Sequence, residues 1–373
     1  MVNFLGKIIR LHTLFVLLTL GAITALILSY TTSYIHPTSV PSLPFFGLAH
    51  WLILTINLTL CVFWAFKKSK WFIVIIIIIS AGIKIHVRTF SFGANSQATS
   101  QNELRIMSYN VHLFDLYNPN TNEKHKTKNK IIEHVKDRNP DVVCFQEFYQ
   151  QDSPTSFVTK DTILKIMDYK YYHERFARKR RARQNVGVAI FSRHPIIKEG
   201  NVPFEVHKGN FNYCIYTDIV KETDTFRVYN IHLQSIRLQK EDYEIFETDS
   251  NSRTPSNVTN LITKIKKAYP IRAKQAARVK KHIAASPYKV IVCGDFNDTP
   301  VSYCYNTFNS ILTDAFRNTS FGIGATYAGS LPAMRIDYIF HSNQLGSRDF
   351  NIQKEKLSDH YAIDCSVFVK HSE

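Results

Sequence analysis

Apolar residues follow two rhythms along this chain. Up to about residue 90 they form long, nearly unbroken blocks; beyond residue 100 they form short runs separated by polar breaks. Leu11 to Tyr30 is uncharged and mostly apolar, and so is Phe45 to Phe66. Both match the ~20 residues that cross a bilayer as a helix. Trp71 to Ile83 is shorter, and Lys84 can snorkel to extend it to residue 86. The pattern predicts about three transmembrane helices, 11–30, 45–66 and 71–86, within a membrane region 1–86. A cleaved signal peptide is the rival for the first block, because Lys7 and Arg10 precede it. The block is long for that role and no small-residue cleavage site follows, so an uncleaved anchor is favoured. Residues 87–102 turn polar and read as a linker.

In the remainder, 103–373, the runs read as strands. They are Leu104–Tyr109, Val142–Phe145, Val186–Phe191, Tyr213–Val220, Thr225–Leu233, Val290–Cys293, Ile336–Phe340 and Tyr361–Val369. Lys128 to Asp137 places Ile131, Ile132 and Val135 on one helical face, and Asn139-Pro140 stops it. Two helical segments are expected to flank Pro270. Gln239 to Asn257 is polar, has little periodicity and is expected to be a mobile insertion. Many strands, few helices and no strict alternation predict an α+β sandwich rather than a doubly wound sheet.

Charge sharpens the division. The 373 residues carry 46 Lys+Arg against 30 Asp+Glu, a formal net charge of +16. Residues 1–90 hold seven of the basic residues and no acidic one, leaving 39 against 30 beyond them. That excess suits a nucleic acid, a phosphoinositide or an anionic membrane surface, or is simply a basic exterior. Lys7, Arg10 and the Lys67, Lys68, Lys70 loop belong in the cytoplasm by the positive-inside rule, and Thr31 to Pro44 has no Lys or Arg. Three spans then place the later domain outside the cytoplasm, on a multi-pass protein of the cell (inner) membrane. The six cysteines show no metal-pair spacing. Cys61 lies in an apolar span, and Cys144, Cys214, Cys293 and Cys365 lie in strand-like runs, as small buried hydrophobes.

The chemistry gathers where apolar runs end. VIVCGDFND, Val290–Asp298, ends on Gly294 and presents Asp295, Asn297 and Asp298. An Asx-turn is the plain alternative there. Asn110, Glu147, His232, Asp337, Asp359 and His360 fall at or within other strand ends. A cap, a core histidine or a loop turn explains several of them one at a time. Glu147 beside Val142–Phe145, and Asp337 inside RIDYIF, are costly to bury unpaired. Together they match what metal-assisted phosphodiester hydrolysis needs: hard oxygen ligands for Mg²⁺, a carboxylate to activate water, and imidazoles to donate protons.

Seven motifs in order resemble the endonuclease/exonuclease/phosphatase family across residues 104–369. They are SYN (Ser108–Asn110), QE (Gln146–Glu147), GVAIFSRHPI (Gly187–Ile196), NIHL (Asn230–Leu233), GDFND (Gly294–Asp298), RIDYIF (Arg335–Phe340) and SDH (Ser358–His360). The resemblance implies a four-layer α/β/β/α sandwich with the site at one edge. It implies Glu147 as main Mg²⁺ ligand (Mn²⁺ as substitute), with Asn110 beside it and Asp359 near the metal. It implies Asp295 on the attacking water, Asn297 on the phosphate, and His360 at the scissile phosphate with its tautomer fixed by Asp337. His232 resembles the second histidine of the deoxyribonuclease and sphingomyelinase branches. One departure is His112, which stands where apurinic endonucleases carry a carboxylate.

The substrate expected first is nucleic acid, with a lipid headgroup or phosphoinositide as the alternative and a catalytically silent membrane-tethered binding module as the other class. Arg178, Lys179, Arg180, Arg181 and Arg183, in the basic segment Glu174–Arg183, are the candidate substrate-binding residues. A solvated loop is the equal alternative for that segment. No protein partner is implied.

Overall fold

The computed structural model describes residues 2–93, 103–117, 126–155, 157–176, 184–205, 212–239, 242, 245, 254–329 and 334–370. The chain divides into two units. One comprises Met1–Thr89 with Thr299–Asn306, and the other Phe90–Asp298 with Thr307–Glu373.

The first unit is helical. It holds α1 (Val2–Thr31), α2 (Leu43–Leu48), α3 (His50–Phe66), α4 (Trp71–Ala81) and α5 (Ile83–Thr89). The stretch 11–30 lies within α1, and Arg10–Thr31 is long and apolar enough to cross a membrane. The other two stretches differ from expectation. The chain breaks at Ala49, so α3 has only 17 residues, about 25 Å of rise. The third stretch breaks at Gly82, with α4 and α5 bent by 64°. A Cβ at Gly82 would lie 2.1 Å from the Tyr30 ring, so the glycine permits the close approach that accompanies the bend. The expected linker also begins later. Val87–Thr89 are helical, and β1 (Ser91–Phe92) pairs with β11 (Phe321–Gly322).

Polar contacts join the helices. Trp64 Nε1 donates to Thr19 Oγ1 at 2.8 Å, and Asn57 Nδ2 donates to the Ala22 carbonyl at 2.9 Å. The unit also takes in the later segment. Ser33 Oγ donates to the Val301 carbonyl at 2.7 Å, and the His36 and Tyr303 rings meet edge to face at 5.0 Å.

The second unit is built on two six-stranded sheets. Sheet I contains β2 (Glu103–Asn110), β3 (Val142–Gln151), β4 (Tyr171–Phe176), β5 (Gln184–Ser192), β13 (Leu345–Gln353) and β14 (Ala362–Val369), in the order β13-β14-β2-β3-β5-β4. Sheet II contains β6 (Ile196–Asn201), β7 (Tyr213–Lys221), β8 (Asp224–His232), β9 (Lys289–Asp295), β10 (Thr313–Asp314) and β12 (Asp337–His341), in the order β10-β12-β9-β8-β7-β6. Alternation sets the layers, because successive strand residues face opposite sides. Ile106, Cys144, Val188 and Ile190 of sheet I share one buried core with Ile215, Val228, Ile291 and Cys293 of sheet II. The outward residues Met107, Val143, Phe145 and Phe191 bury against α6 (Lys126–Arg138) and α7 (Thr159–Met167) through Ile131, Val135, Ile163 and Met167.

On the other side lies α8 (Pro255–Ala284), whose His282 Nδ1 pairs with Tyr229 Oη of β8 at 2.8 Å. This is the expected four-layer sandwich. Cys144, Cys214, Cys293 and Cys365 are buried and free. The short helices α9 (Tyr303–Asn309) and α10 (Ala315–Thr319) complete the chain.

Two details depart from the sequence pattern. α8 runs straight through Pro270 as one 30-residue helix. Buried Ala268, Tyr269, Ala273 and Ala276 on both sides of the proline form one continuous face, which outweighs the lost backbone bond. The helix also claims Pro255–Asn257 from the expected insertion, with Thr254 accepting from the Asn257 amide at 3.3 Å as N-cap. Most of that insertion lies outside the described residues.

Candidate active site

Strand register assembles the site. In sheet II, Asp295 of β9 stands opposite His232 of the parallel β8 and opposite Asp337 of the antiparallel β12. Neighbouring strands lie about 4.8 Å apart, so pairing alone sets these three residues in a row. Gly294 makes the row possible. Its φ is +145°, and a Cβ there would stand 1.9 Å from the Ile231 carbonyl oxygen. Sheet I contributes Asn110 from the end of β2, and Asp359 and His360 from the approach to β14.

Glu147 reaches the site through a bulge. The β3–β5 register slips between Phe145 and Phe148, and Glu147 takes a φ of +50°. The bulge is pinned from the opposite sheet. Asn230 Nδ2 donates to the Phe145 and Ala189 carbonyls at 2.9 Å each, and Gln146 Nε2 donates to Asn230 Oδ1 at 2.7 Å. Asn230 belongs to the NIHL motif of the strand Thr225–Leu233, and its role appears with the pairing of the sheets. A second strained stretch follows Asn110, where His112, Leu113, Phe114 and Asp115 all have positive φ. Asn110 Oδ1 accepts from the His112 amide at 3.1 Å at its entrance.

The polar groups close on one another. His360 Nδ1 lies 2.9 and 3.1 Å from the Asp337 carboxylate oxygens. Asp295 accepts from Asn110 Nδ2 at 3.0 Å, from the Asn297 amide at 2.7 Å and from Asn297 Nδ2 at 3.0 Å. The amide contact is an Asx-turn, so that alternative reading of the motif is realised alongside the site. His232 Nε2 stands 3.7 Å from Asp295 and 3.8 Å from Glu147. His112 Nδ1 lies 3.8 Å from Asp359, whose side chain is 31% exposed. The Tyr327 ring meets the His360 imidazole edge to face at 5.6 Å, a neighbour with no signal in the sequence. Arg178, Lys179, Arg180, Arg181 and Arg183 lie outside the described residues.

Electrostatics follows from this crowding. Burial raises Glu147, Asp359 adds to the effect, and the nearby imidazoles with Asn110 only partly offset it. Burial likewise raises Asp295, with Asp337 pushing the same way against His360 and His232. Burial alone would lower His360, but Asp337 and Asp295 outweigh it and lift the imidazole well above its ordinary value. The two carboxyls are thus pushed toward holding a proton and the His360 imidazole toward staying charged.

Asp295, Asp337 and His360 bring ligand atoms within 4.8 Å of one another, a grouping able to hold a metal ion. This differs from the expected set of Asn110, Glu147 and Asp359. Asp337 and His360 already satisfy each other as a hydrogen-bonded pair. Among the described residues, the imidazole in ion-pair range of Glu147 is His232 at 3.8 Å, and Glu147 is 28% exposed, so its charge is less fully matched than that of Asp337. Oxygen donors with raised affinity for positive charge fit a hard divalent cation.

A face-to-face sandwich with clustered carboxylates and imidazoles at one edge defines a phosphoesterase-type hydrolase. Residues 107–360 match the Endonuclease/Exonuclease/phosphatase family, and the chain belongs to that family. Residues 12–90 match a family described as a domain of unknown function (DUF8431).

Solved structures agree in fold. An endonuclease/exonuclease/phosphatase from Beutenbergia cavernae is 16% identical, covering 72% of each chain, with a TM-score of 0.51. The human Nocturnin catalytic domain with bound sulfate is 17% identical, covering 72% of this chain and 95% of that one, at 0.51. A humanized TDP2 from D. rerio is 18% identical, covering 72% and 99%, at 0.50. Among curated proteins, none matches the chain in sequence.

Proposed function

We propose that this chain is a membrane-anchored, Mg²⁺-dependent phosphodiesterase that cleaves nucleic acid outside the cytoplasm. The observation that carries the reading is the in-register row His232–Asp295–Asp337, with His360 bonded to Asp337. Glu147, with Asn110 and Asp359, would hold the cation, which supplies positive charge to a phosphodiester and to its developing oxyanion. Asp295 is the acceptor for a proton of the attacking water, held in place by Asn110 and Asn297. Asn297 would turn its side-chain amide to a phosphate oxygen by giving up one of its two present acceptors, the Leu233 carbonyl at 3.1 Å or Asp295 at 3.0 Å. His360, kept charged by Asp337, donates to the phosphoryl group, and His232 stands beside the same centre as a second donor.

The apolar helices support anchoring, since Leu17, Leu52 and Ile77 are 61%, 64% and 60% exposed. The lysine pattern supports a cytoplasmic Lys67–Lys70 loop, with α3 and the bent α4–α5 pair crossing as further spans. A lipid-headgroup substrate is the second reading. It is favoured by Phe92 and Phe321, 71% and 74% exposed, just beyond the apolar helices in sequence or paired to that strand.

The test uses the full chain in neutral detergent with DNA, RNA, sphingomyelin and inositol phosphates, with EDTA and with added Mg²⁺ or Mn²⁺. Chelator-sensitive cleavage of nucleic acid is expected. Activity indifferent to EDTA, or confined to lipid, overturns the mechanism or the substrate. Protease added to intact spheroplasts should digest an epitope fused after Glu373, and protection until lysis would reverse the orientation.

A further inference from the structure

The helix α8 contains eight basic residues and no acidic one among its 30 residues. Its inner face belongs to the active-site scaffold. Arg272 Nε donates to the Gln234 carbonyl at 3.0 Å, and Arg272 Nη1 lies 3.0 Å from the Asp298 carboxylate. Gln275 Oε1 accepts from the Gln234 amide at 2.9 Å. Gln234 follows His232 by two residues, and Asp298 follows Asn297. The two site loops are thus fixed to one side of this helix.

The opposite side carries a row of cations. At 100° per residue, Lys267, Lys274, Arg278 and Lys281 fall within one narrow arc, and all four are exposed. Fourteen residues of rise separate Lys267 from Lys281, about 21 Å. Arg278 has a partner in Glu205 at 3.0 Å. Among the described residues, no carboxylate lies within ion-pair distance of Lys267, Lys274 or Lys281. Like charges at helical neighbours such as Lys274 and Arg278 destabilise a helix. An extended anion along the row would reverse that repulsion.

We propose that the outer face of α8 is a docking rail for the phosphate backbone of a nucleic acid, placed one helix width from the segments at Gln234 and Asp298 that follow His232 and Asn297. The inference rests on the nuclease reading above and adds the surface that selects a polymeric substrate. A bilayer suits this face less well. Interfacial helices bury an apolar side in lipid, whereas Ala273, Ala276, Val279 and Ile283 of α8 are already buried in the domain. The outer face presents no exposed aromatic residue.

The test is binding without chemistry. Full-length protein in neutral detergent and EDTA is titrated with fluorescently labelled single- and double-stranded oligonucleotides over a range of salt. The triple variant Lys267→Gln, Lys274→Gln, Lys281→Gln should weaken binding at least ~10-fold at low salt. It should also flatten the log–log salt dependence by about 2 on single strands and about 3 on duplex, from roughly 0.7 and 0.9 per lost phosphate contact. An unchanged affinity and slope would overturn the rail. So would a defect seen only on vesicles containing anionic phospholipid, or a wild-type protein that binds no oligonucleotide. Hydrolysis of bis(p-nitrophenyl) phosphate with Mg²⁺ is measured in parallel and should be equal in both proteins. If the variant loses that activity too, the lysines act on the site and the rail is rejected. If wild type lacks it, the phosphodiesterase reading fails while the binding data still decide the rail.

Discussion

Asn230 offers the most direct test of how the sandwich holds its catalytic edge. It is fully buried, it rises from sheet II, and its amide bonds two carbonyls of sheet I at 2.9 Å while accepting from Gln146 at 2.7 Å. Asn230→Ala deletes all three bonds. At a net ~1 kcal/mol each, the loss is about 3 kcal/mol before any cavity cost. For a domain of this size 1 kcal/mol moves the midpoint by roughly 2–4 °C, so a drop of about 6–12 °C is expected. Asn230→Asp should be worse, because it turns an acceptor toward two carbonyl oxygens.

Thermal unfolding followed by circular dichroism in detergent measures the shift. Turnover of a phosphodiester should fall at least ~10-fold, because Phe145 and Gln146 lead directly into the Glu147 bulge and small displacements of catalytic groups are costly. A midpoint within about 2 °C of wild type with normal turnover would refute the claim that this amide pins the bulge.

Other outcomes follow from the same geometry. Glu147→Ala and His360→Ala should each lower turnover at least ~10²-fold in a protein that still folds, and near-normal turnover of either purified variant would remove that residue from the site. Gly294→Ala drives a methyl group onto the Ile231 carbonyl, so a loss of more than ~3 kcal/mol is expected, read as poor expression or a large fall in melting temperature. Asp141 resists the upward pull of burial because the Arg105 amide at 2.9 Å and Lys221 at 3.1 Å hold its pKa below the usual value. A lowered acid contributes its stability above its unfolded pKa, near 4 for aspartate, and loses it as pH falls through the folded value. The stability gap between wild type and Asp141→Asn should therefore be full at neutral pH and shrink below about pH 4. A gap that is constant with pH would contradict this.

The central strands were legible because they are buried on both faces and read as unbroken apolar runs. β4, β6 and β13 were not, and each lies at a sheet edge where only part of the strand is covered. Lys198 and Glu199 in β6 break any apolar run, as the exposed side of an edge strand requires. Glu147, Asp295 and His360 could be suspected from the runs they terminate. Their mutual distances could not, because the His232–Asp295–Asp337 row exists only once three non-adjacent segments pair in register. The role of Asn230 escaped for the same reason: two of its three partners are backbone carbonyls of the other sheet, and backbone acceptors leave no residue-type signal. In α8, local propensity argued for a break at Pro270, and tertiary burial on both sides of it prevailed.

The helical unit includes Thr299–Asn306, a stretch that begins one residue after Asp298. This bears on how such a gene can be recombined. A fusion that swaps the first ninety residues for an unrelated helical segment keeps every residue proposed for the site. It nonetheless discards Ser33 and His36, the partners of Val301 and Tyr303. The helical unit and the hydrolase unit are interleaved in sequence, so they are expected to travel together as one inherited piece, and a chimera that replaces the helices is expected to need the host surface for residues 299–306 as well.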